Sequence, residues 1–389
     1  MLKKVIRTAT IPLSLDILLE GQLAFLSQYY EVVAVSGEDE HLCKVSNREK
    51  VRTVNIPMQR TINPFQDLIS LWKLYWFFRK ERPDIVHSIT PKAGLLSMTA
   101  AYFACVPVRM HTFTGLLFPS KTGVMQKILI QMDRLLCFFA THIYPEGKGV
   151  KQDLIQYRIT SKPLRIIANG NVNGINTVYF NRNQISANLQ QELENQLRIS
   201  EKDFVFIFVG RLVSAKGINE LVKAFIKLCE LHRSLAGAQN LQPKLLLVGP
   251  FEHELDPLTP ETLTEIKSNP LIISVGFQEE VRPYFAVSNA LVFPSYREGF
   301  PNVVLQSLAM ELTAIVTDIN GCNEIITHEQ NGLVVPVKDT EALEQAMEEL
   351  LNDADLYQSL KNTARESVFP YEQQKVWDAL LEEYRLVAG

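Results

Sequence analysis

The chain has 389 residues, of which 47% are hydrophobic and 21% charged, with a formal net charge of −4. That is an ordinary soluble globular mix, too long for one core and about right for two domains. The small net charge hides an asymmetry: residues 1–180 sum to +9 and residues 181–389 to −13, so one half suits an anionic surface or substrate.

The opening Met1-Leu-Lys-Lys-Val-Ile-Arg7 could pass for the start of a signal peptide. Arg7 and Asp16 interrupt the apolar run, however, and no small-residue cleavage site follows. No apolar stretch is long enough to span a bilayer; 135–140 is the best and falls far short. Cys43, Cys105, Cys137, Cys229 and Cys322 are scattered without Cys-x-x-Cys, which argues for a reducing compartment and against structural zinc. A cytoplasmic chain is expected.

Strand-length apolar runs alternate with helical patterns almost throughout. In the first half the predicted strands are 5–9, 30–35, 84–87, 109–113, 142–144 and 164–168, with helices at 17–28, 67–80, 93–103 and 126–140. Asn169-Gly-Asn-Val-Asn-Gly-Ile-Asn-Thr177 is rich in turn formers and is the best linker. The second half repeats the plan, with strands at 204–209, 244–248, 272–275, 290–294, 314–317 and 332–335. Its helices fall at 187–197, 219–232, 302–310 and 340–351, and a last helix, 371–387, follows Pro370. This alternation predicts parallel sheets covered on both faces, whose ligands bind at the carboxyl ends of the strands.

Four clusters fall at such ends. After strand 204–209 come Gly210-Arg211-Leu212 and then Lys216-Gly217, two cations and two glycines around one loop. Arginine grips phosphate oxygens bidentately and lysine adds a mobile charge, although a solvated pair of charges would look the same. After strand 290–294 comes Tyr296-Arg297-Glu298-Gly299-Phe300-Pro301-Asn302 and an apolar run that reaches Gln306. Pro301 sits where a first-turn proline is tolerated, and the free N–H groups of the following helix form an anion site beside the Glu298 carboxylate. A ligand with both hydroxyls and phosphates, such as a nucleotide-sugar, fits that pairing. His111, in Arg109-Met-His-Thr-Phe-Thr-Gly115, ends a strand beside a polar loop, as either a site residue or a satisfied structural histidine. His87 ends another strand and reads as structural. Finally, Gly321 permits a tight turn in Thr317-Asp-Ile-Asn-Gly-Cys-Asn-Glu324.

The other histidines show no metal spacing, and Glu252-His253-Glu254 reads as solvated surface. No Gly-x-Ser-x-Gly elbow occurs. Two helices carry aromatic or apolar residues beside cations: 67–80, with Trp72, Trp76, Lys73, Arg79 and Lys80, and 126–140, with Lys127 and Arg134. Either they cover a sheet or, in the +9 half, they meet an anionic membrane.

Gly210-Arg-Leu…Lys216-Gly, Pro294-Ser…Glu298-Gly-Phe-Pro-Asn-Val-Val-Leu-Gln306 and Thr317-Asp-Ile-Asn-Gly-Cys-Asn-Glu-Ile-Ile come in an order and spacing that resembles the retaining family-4 glycosyltransferases of bacterial capsule and O-antigen synthesis. With Pro83-Asp-Ile-Val-His87 and Asn331-Gly-Leu-Val, the resemblance covers nearly the whole chain. It implies an α/β GT-B fold, two Rossmann-like doubly wound domains facing across a cleft. The domains would be 1–178 on the acceptor side and 179–370 for the nucleotide-sugar, with 371–389 returning to the first.

The same resemblance implies that Arg211 and Lys216 hold the donor diphosphate, that Glu298 contacts the hexose and that His111 lies near the transferred sugar. Gly210, Gly299, Phe300, Pro301, Asn302 and Gln306 would complete the donor site. No metal and no cofactor are implied, because protein cations and helix dipoles neutralise the leaving nucleotide. The expected donor is a UDP-sugar with an N-acetylhexosamine favoured, the acceptor a lipid-diphosphate-linked sugar, and the place the inner face of the cell membrane; nucleic acid is not a partner. The alternatives are a nucleotide-sugar epimerase of the same fold and an inactive nucleotide-sugar binder.

Two positions depart from the family pattern. Gln306 stands where a glutamate normally binds the ribose hydroxyls, and Met310-Glu311 lacks the glycine that would cap the helix.

Overall fold

The computed structural model describes residues 2–59, 63–234, 241–252, 254 and 256–389. The chain forms two compact units, Met1–Gly174 with Gln373–Gly389, and Ile175–Glu372.

Among the described residues the first unit holds a six-stranded parallel sheet. Its strands are β1 (Lys4–Thr8), β2 (Glu31–Ser36), β3 (Arg52–Asn55), β4 (Ile85–Ser88), β5 (Val108–Phe113) and β6 (His142–Pro145), in the order β3-β2-β1-β4-β5-β6. Ile6 of β1 pairs with Val33 on one side and Val86 on the other. The strands are apolar on both faces because helices cover both, and each buried Val, Ile or Phe contributes roughly 1.5–3 kcal/mol.

The closing helix Gln373–Ala388 belongs to this unit. Its Tyr384 hydroxyl lies 2.7 Å from both Arg7 Nη1 and His87 Nδ1, all three side chains being buried. Its Trp377 donates to Asn173 Oδ1 at 2.7 Å and lies over Gly21, where a Cβ would come within 2.7 Å of the indole. Gly21 has φ +76°, and there the expected helix 17–28 breaks into Pro12–Leu18 and Gln22–Ser27.

A second difference is the expected strand 164–168, which is absent: only Leu164 bridges Ile143. Pro163 brings no N–H to a ladder, and Ala168 is left-handed at φ +50°, so the segment cannot extend β6.

The second unit repeats the architecture with β7 (Asp203–Val209), β8 (Gln242–Val248), β9 (Ile272–Gly276), β10 (Ala290–Phe293), β11 (Thr313–Thr317) and β12 (Gly332–Val335). Their order is β12-β11-β10-β7-β8-β9, again parallel. Residues 175–178, expected with the first domain, belong here. Ile175 N–H donates to the Tyr371 carbonyl at 2.8 Å, and Arg365 donates to the Thr177 carbonyl at 2.8 Å.

Candidate active site

The order of the second sheet reverses direction between β7 and β10, which are neighbours. A crevice for ligands opens at such a switch point, outside the carboxyl ends of the strands. Three loops meet there, and glycines decide how closely. Gly217 has φ +72° and sits flush on β10's end, where a Cβ would fall 2.1 Å from the Pro294 carbonyl oxygen. Gly321, at φ +77°, likewise leaves room for the backbone of Gly299 and Phe300; a Cβ would lie 2.4 Å from the Gly299 oxygen. Tyr296 N–H donates to the Ala215 carbonyl at 2.9 Å, and the Thr317 hydroxyl to the Ser295 carbonyl at 2.5 Å. The loops after β7, β10 and β11 thus form one rigid edge.

This stitching brings Lys216 against Glu298. Lys216 Nζ pairs with Glu298 Oε1, both side chains being mostly covered, and lies 5.2 Å from the Phe293 ring centre. The Ser295 hydroxyl donates to the same carboxylate oxygen at 2.6 Å and fixes its rotamer. Behind the pair lies the Cys322 thiol, whose pKa is pushed up by burial first and by Glu298 next. Sequence reasoning did not single out Ser295 or Cys322 as site residues. Their signal was only their place in strand-end loops.

Arg211 leaves the same β7 loop through Gly210, which has φ +149°. Its guanidinium pairs with Glu252 and is more than half exposed. Glu252 is therefore a partner of the site rather than plain solvated surface, while His253 lies outside the described residues. Phe300 is buried against Tyr371, with ring centres 5.3 Å apart. The helix Asn302–Ala309 begins with Pro301 as its N-cap, not inside the first turn. It has no side-chain cap and no acidic residue in that turn, so its positive end meets the edge without a competing carboxylate of its own. Gln306 stands half-buried on this helix and makes no side-chain hydrogen bond among the described residues.

His111 belongs to the first unit and is wholly enclosed. Its Nδ1 shares a 2.8 Å hydrogen bond with Ser88, and its ring fills the space left by Gly94, where a Cβ would lie 2.5 Å from Cε1. Burial pushes its pKa down to about 3, so the ring is neutral, and Nε2 has no partner among the described residues. His87 is also buried, bonded through Nε2 to Thr112 at 2.8 Å. Among the described residues no three His, Cys, Asp or Glu side chains gather as metal ligands, and no helix is long and apolar enough to cross a membrane.

Chemically, the edge in the second unit offers two cations and an uncapped helix start for a polyphosphate. A fixed carboxylate beside them can accept hydrogen bonds from hydroxyls. Residues 24–171 match the family described as Glycosyltransferase Family 4, and residues 190–367 the family described as Glycosyl transferases group 1.

The chain is 29% identical to the capsular polysaccharide biosynthesis glycosyltransferase CapM of Staphylococcus aureus, over 98% of this chain and 97% of that protein. It is 26% identical to the UDP-Gal:alpha-D-GlcNAc-diphosphoundecaprenol alpha-1,3-galactosyltransferase of Escherichia coli, over 86% of this chain and 84% of that one. The crystal structure of Anabaena Alr3699/HepE in complex with UDP-glucose superposes with a TM-score of 0.81 at 15% identity, covering 98% of this chain and 99% of that one. Matched in both halves and along its whole length, the chain belongs to glycosyltransferase family 4, a retaining family, and has the GT-B fold.

Proposed function

We propose that the chain moves a hexose or N-acetylhexosamine from a UDP-sugar to a lipid-diphosphate-linked sugar, at the cytoplasmic face of the membrane, in bacterial surface-polysaccharide synthesis. The observation that carries this reading is the Lys216–Glu298 pair on the edge shared by β7 and β10. It sets a phosphate-binding cation and a hydroxyl-binding carboxylate one contact apart, as the two halves of a nucleotide-sugar require.

Lys216 and Arg211 hold the donor diphosphate, with the start of helix Asn302–Ala309 behind them. Gly210, Gly299, Phe300 and Pro301 let the backbone approach, Asn302 opens the helix, and Gln306 faces the ribose. As the bond from sugar C1 to the diphosphate breaks, negative charge grows on the diphosphate; the acceptor oxygen bonds to C1 and its hydroxyl proton passes to the departing diphosphate oxygen. Fixed cations and dipoles stabilise that charge without reorganising, typically the largest single catalytic contribution. Glu298 orients the hexose hydroxyls. His111, which the family resemblance sets near the transferred sugar, is enclosed within the first unit, with Nε2 unpartnered among the described residues.

The uridine base, a hexose donor and the acceptor are supported by two names: the Escherichia coli relative, which uses UDP-Gal and an alpha-D-GlcNAc-diphosphoundecaprenol acceptor, and the Anabaena structure, which holds UDP-glucose.

The test is product analysis with a panel of UDP-sugars, with and without a short-chain polyprenyl-diphosphate-sugar. The expected result is a sugar added to the lipid, and an unchanged donor when the acceptor is left out. Conversion of the donor alone into an isomer would make the chain an epimerase. Donor binding with no turnover on any acceptor would make it a binder.

A further inference from the structure

Two helices of the first unit are apolar on two opposite sides. In Pro64–Glu81, Ser70, Leu74 and Phe78 face the core. Phe65, Leu68, Trp72 and Trp76 lie on the far side, Trp72 and Trp76 being 63% and 54% exposed. In Gly123–Phe139, Leu136 and Cys137 are buried, while Val124, Ile128, Leu135 and Phe138 form an opposite, exposed stripe, Phe138 at 66%. One stripe is enough to seat a surface helix on its sheet; a second stripe marks a surface made for something else.

The two stripes are joined by the end of the helix Pro91–Phe103. Phe103 and Trp72 line one groove of about 400 Å³. Phe103 and Tyr102 pack on Phe139, with ring centres 6.0 and 5.1 Å apart, and Phe139 touches Phe138 at 5.2 Å.

The charges around this face share one sign. Lys73, Arg79, Lys80, Lys121 and Lys127 are exposed beside it. The carboxylates of the same helices are withdrawn: Asp67 pairs with Lys92 at 2.7 Å, Glu81 with Lys4 at 2.7 Å and Arg52 at 2.5 Å, and Asp133 is buried.

We infer that this three-helix face docks on an anionic lipid bilayer. The aromatic rings enter the headgroup layer, and the lysines and arginines meet lipid phosphates. A second copy of the chain on the same face would set cations against cations, which opposes a symmetric dimer there. The docking stands on the surface alone; its use, to reach an acceptor held in the membrane, rests on the function proposed above.

The test is flotation of the full chain with phosphatidylcholine vesicles containing or lacking phosphatidylglycerol. It compares wild type with Trp72→Ser/Trp76→Ser and Phe103→Ser/Phe138→Ser, each checked for an unchanged melting temperature. Wild type is expected to bind the anionic vesicles and to bind them more weakly in high salt. Either pair of substitutions is expected to weaken binding by about tenfold or more. Transfer to a short-chain, water-soluble acceptor should persist in both variants, while transfer to a vesicle-embedded acceptor falls.

No binding to anionic vesicles, or binding untouched by both pairs, overturns the inference. So does a solution dimer that the tryptophan substitutions disperse, which would assign the face to a second copy. A chain that binds vesicles yet glycosylates no lipid-linked acceptor leaves the docking intact and refutes the proposed acceptor instead.

Discussion

Lys216 and Glu298 stand 82 residues apart in the chain and meet as an ion pair, with Ser295 holding the carboxylate from behind. A cation satisfied by its own carboxylate is available to a diphosphate only if the ligand replaces that partner, so the two residues can be separated by experiment. Glu298→Gln keeps the shape and loses the charge. UDP alone is expected to bind this variant at least as tightly as wild type, because Lys216 is released. Sugar transfer should fall by about 10²-fold as orientation of the hexose is lost. Calorimetric titration with UDP and steady-state rates with UDP-sugar read the two effects. Weaker UDP binding together with unchanged transfer would reverse the assigned roles.

The helix Asn302–Ala309 ends in a Schellman turn. Leu312 N–H donates to the Ser307 carbonyl at 3.0 Å, and Glu311 N–H to the Leu308 carbonyl at 2.9 Å. The left-handed residue of that turn is Glu311, at φ +67°, where glycine is the relaxed choice; an acid at that position adds charge at the negative end of the helix, and the cation that feels it is Lys361. Glu311→Gly is therefore expected to stabilise the protein by about 1 kcal/mol, which is a rise of about 2–4 °C in melting temperature for a unit of this size. Urea or thermal unfolding measures it. A fall in stability would show that Glu311 makes a contact more valuable than the relief of strain.

Asp133 lies buried on helix Gly123–Phe139, and burial pushes its pKa from 3.8 up to about 7. The folded chain then holds a proton that the unfolded chain releases near pH 4. Stability falls as pH rises from about 4 to 7 and is level beyond that, by up to about 4 kcal/mol from this group. Asp133→Asn is expected to flatten that slope and to be more stable than wild type at pH 8, with little difference at pH 4. Equal stability of the two proteins at both pH values would place Asp133 in contact with water.

Much of the fold was legible because parallel strands buried on both faces read as unbroken apolar runs. Among the described residues, eleven of the twelve strands, such as Phe-Val-Phe-Ile-Phe-Val at 204–209, stand where those runs stand. β3 escaped because Arg52-Thr-Val-Asn55 is a half-exposed edge strand with only one apolar residue. The glycine at 21 is a visible break signal inside the expected helix, whereas its close approach to Trp377, at the other end of the chain, was not legible.

Helices such as Lys148–Gln156 and Ala354–Ser367 carry too few apolar residues to announce themselves. At the site, the strand-end position of Lys216 and Glu298 was visible in the sequence. Their direct pairing was not, because it depends on Gly217 and Gly321 closing three loops onto one another. The enclosure of His111 likewise comes from Gly94, a glycine in a helix facing the strand.

The most direct measurement is the rate of sugar transfer at saturating donor for wild type, Arg211→Ala and Lys216→Ala, each verified as folded. If the edge of β7 and β10 stabilises a departing diphosphate, each substitution lowers the turnover by about 10²-fold or more. Turnover of both variants within about twofold of wild type, well under 1 kcal/mol of barrier, would contradict it.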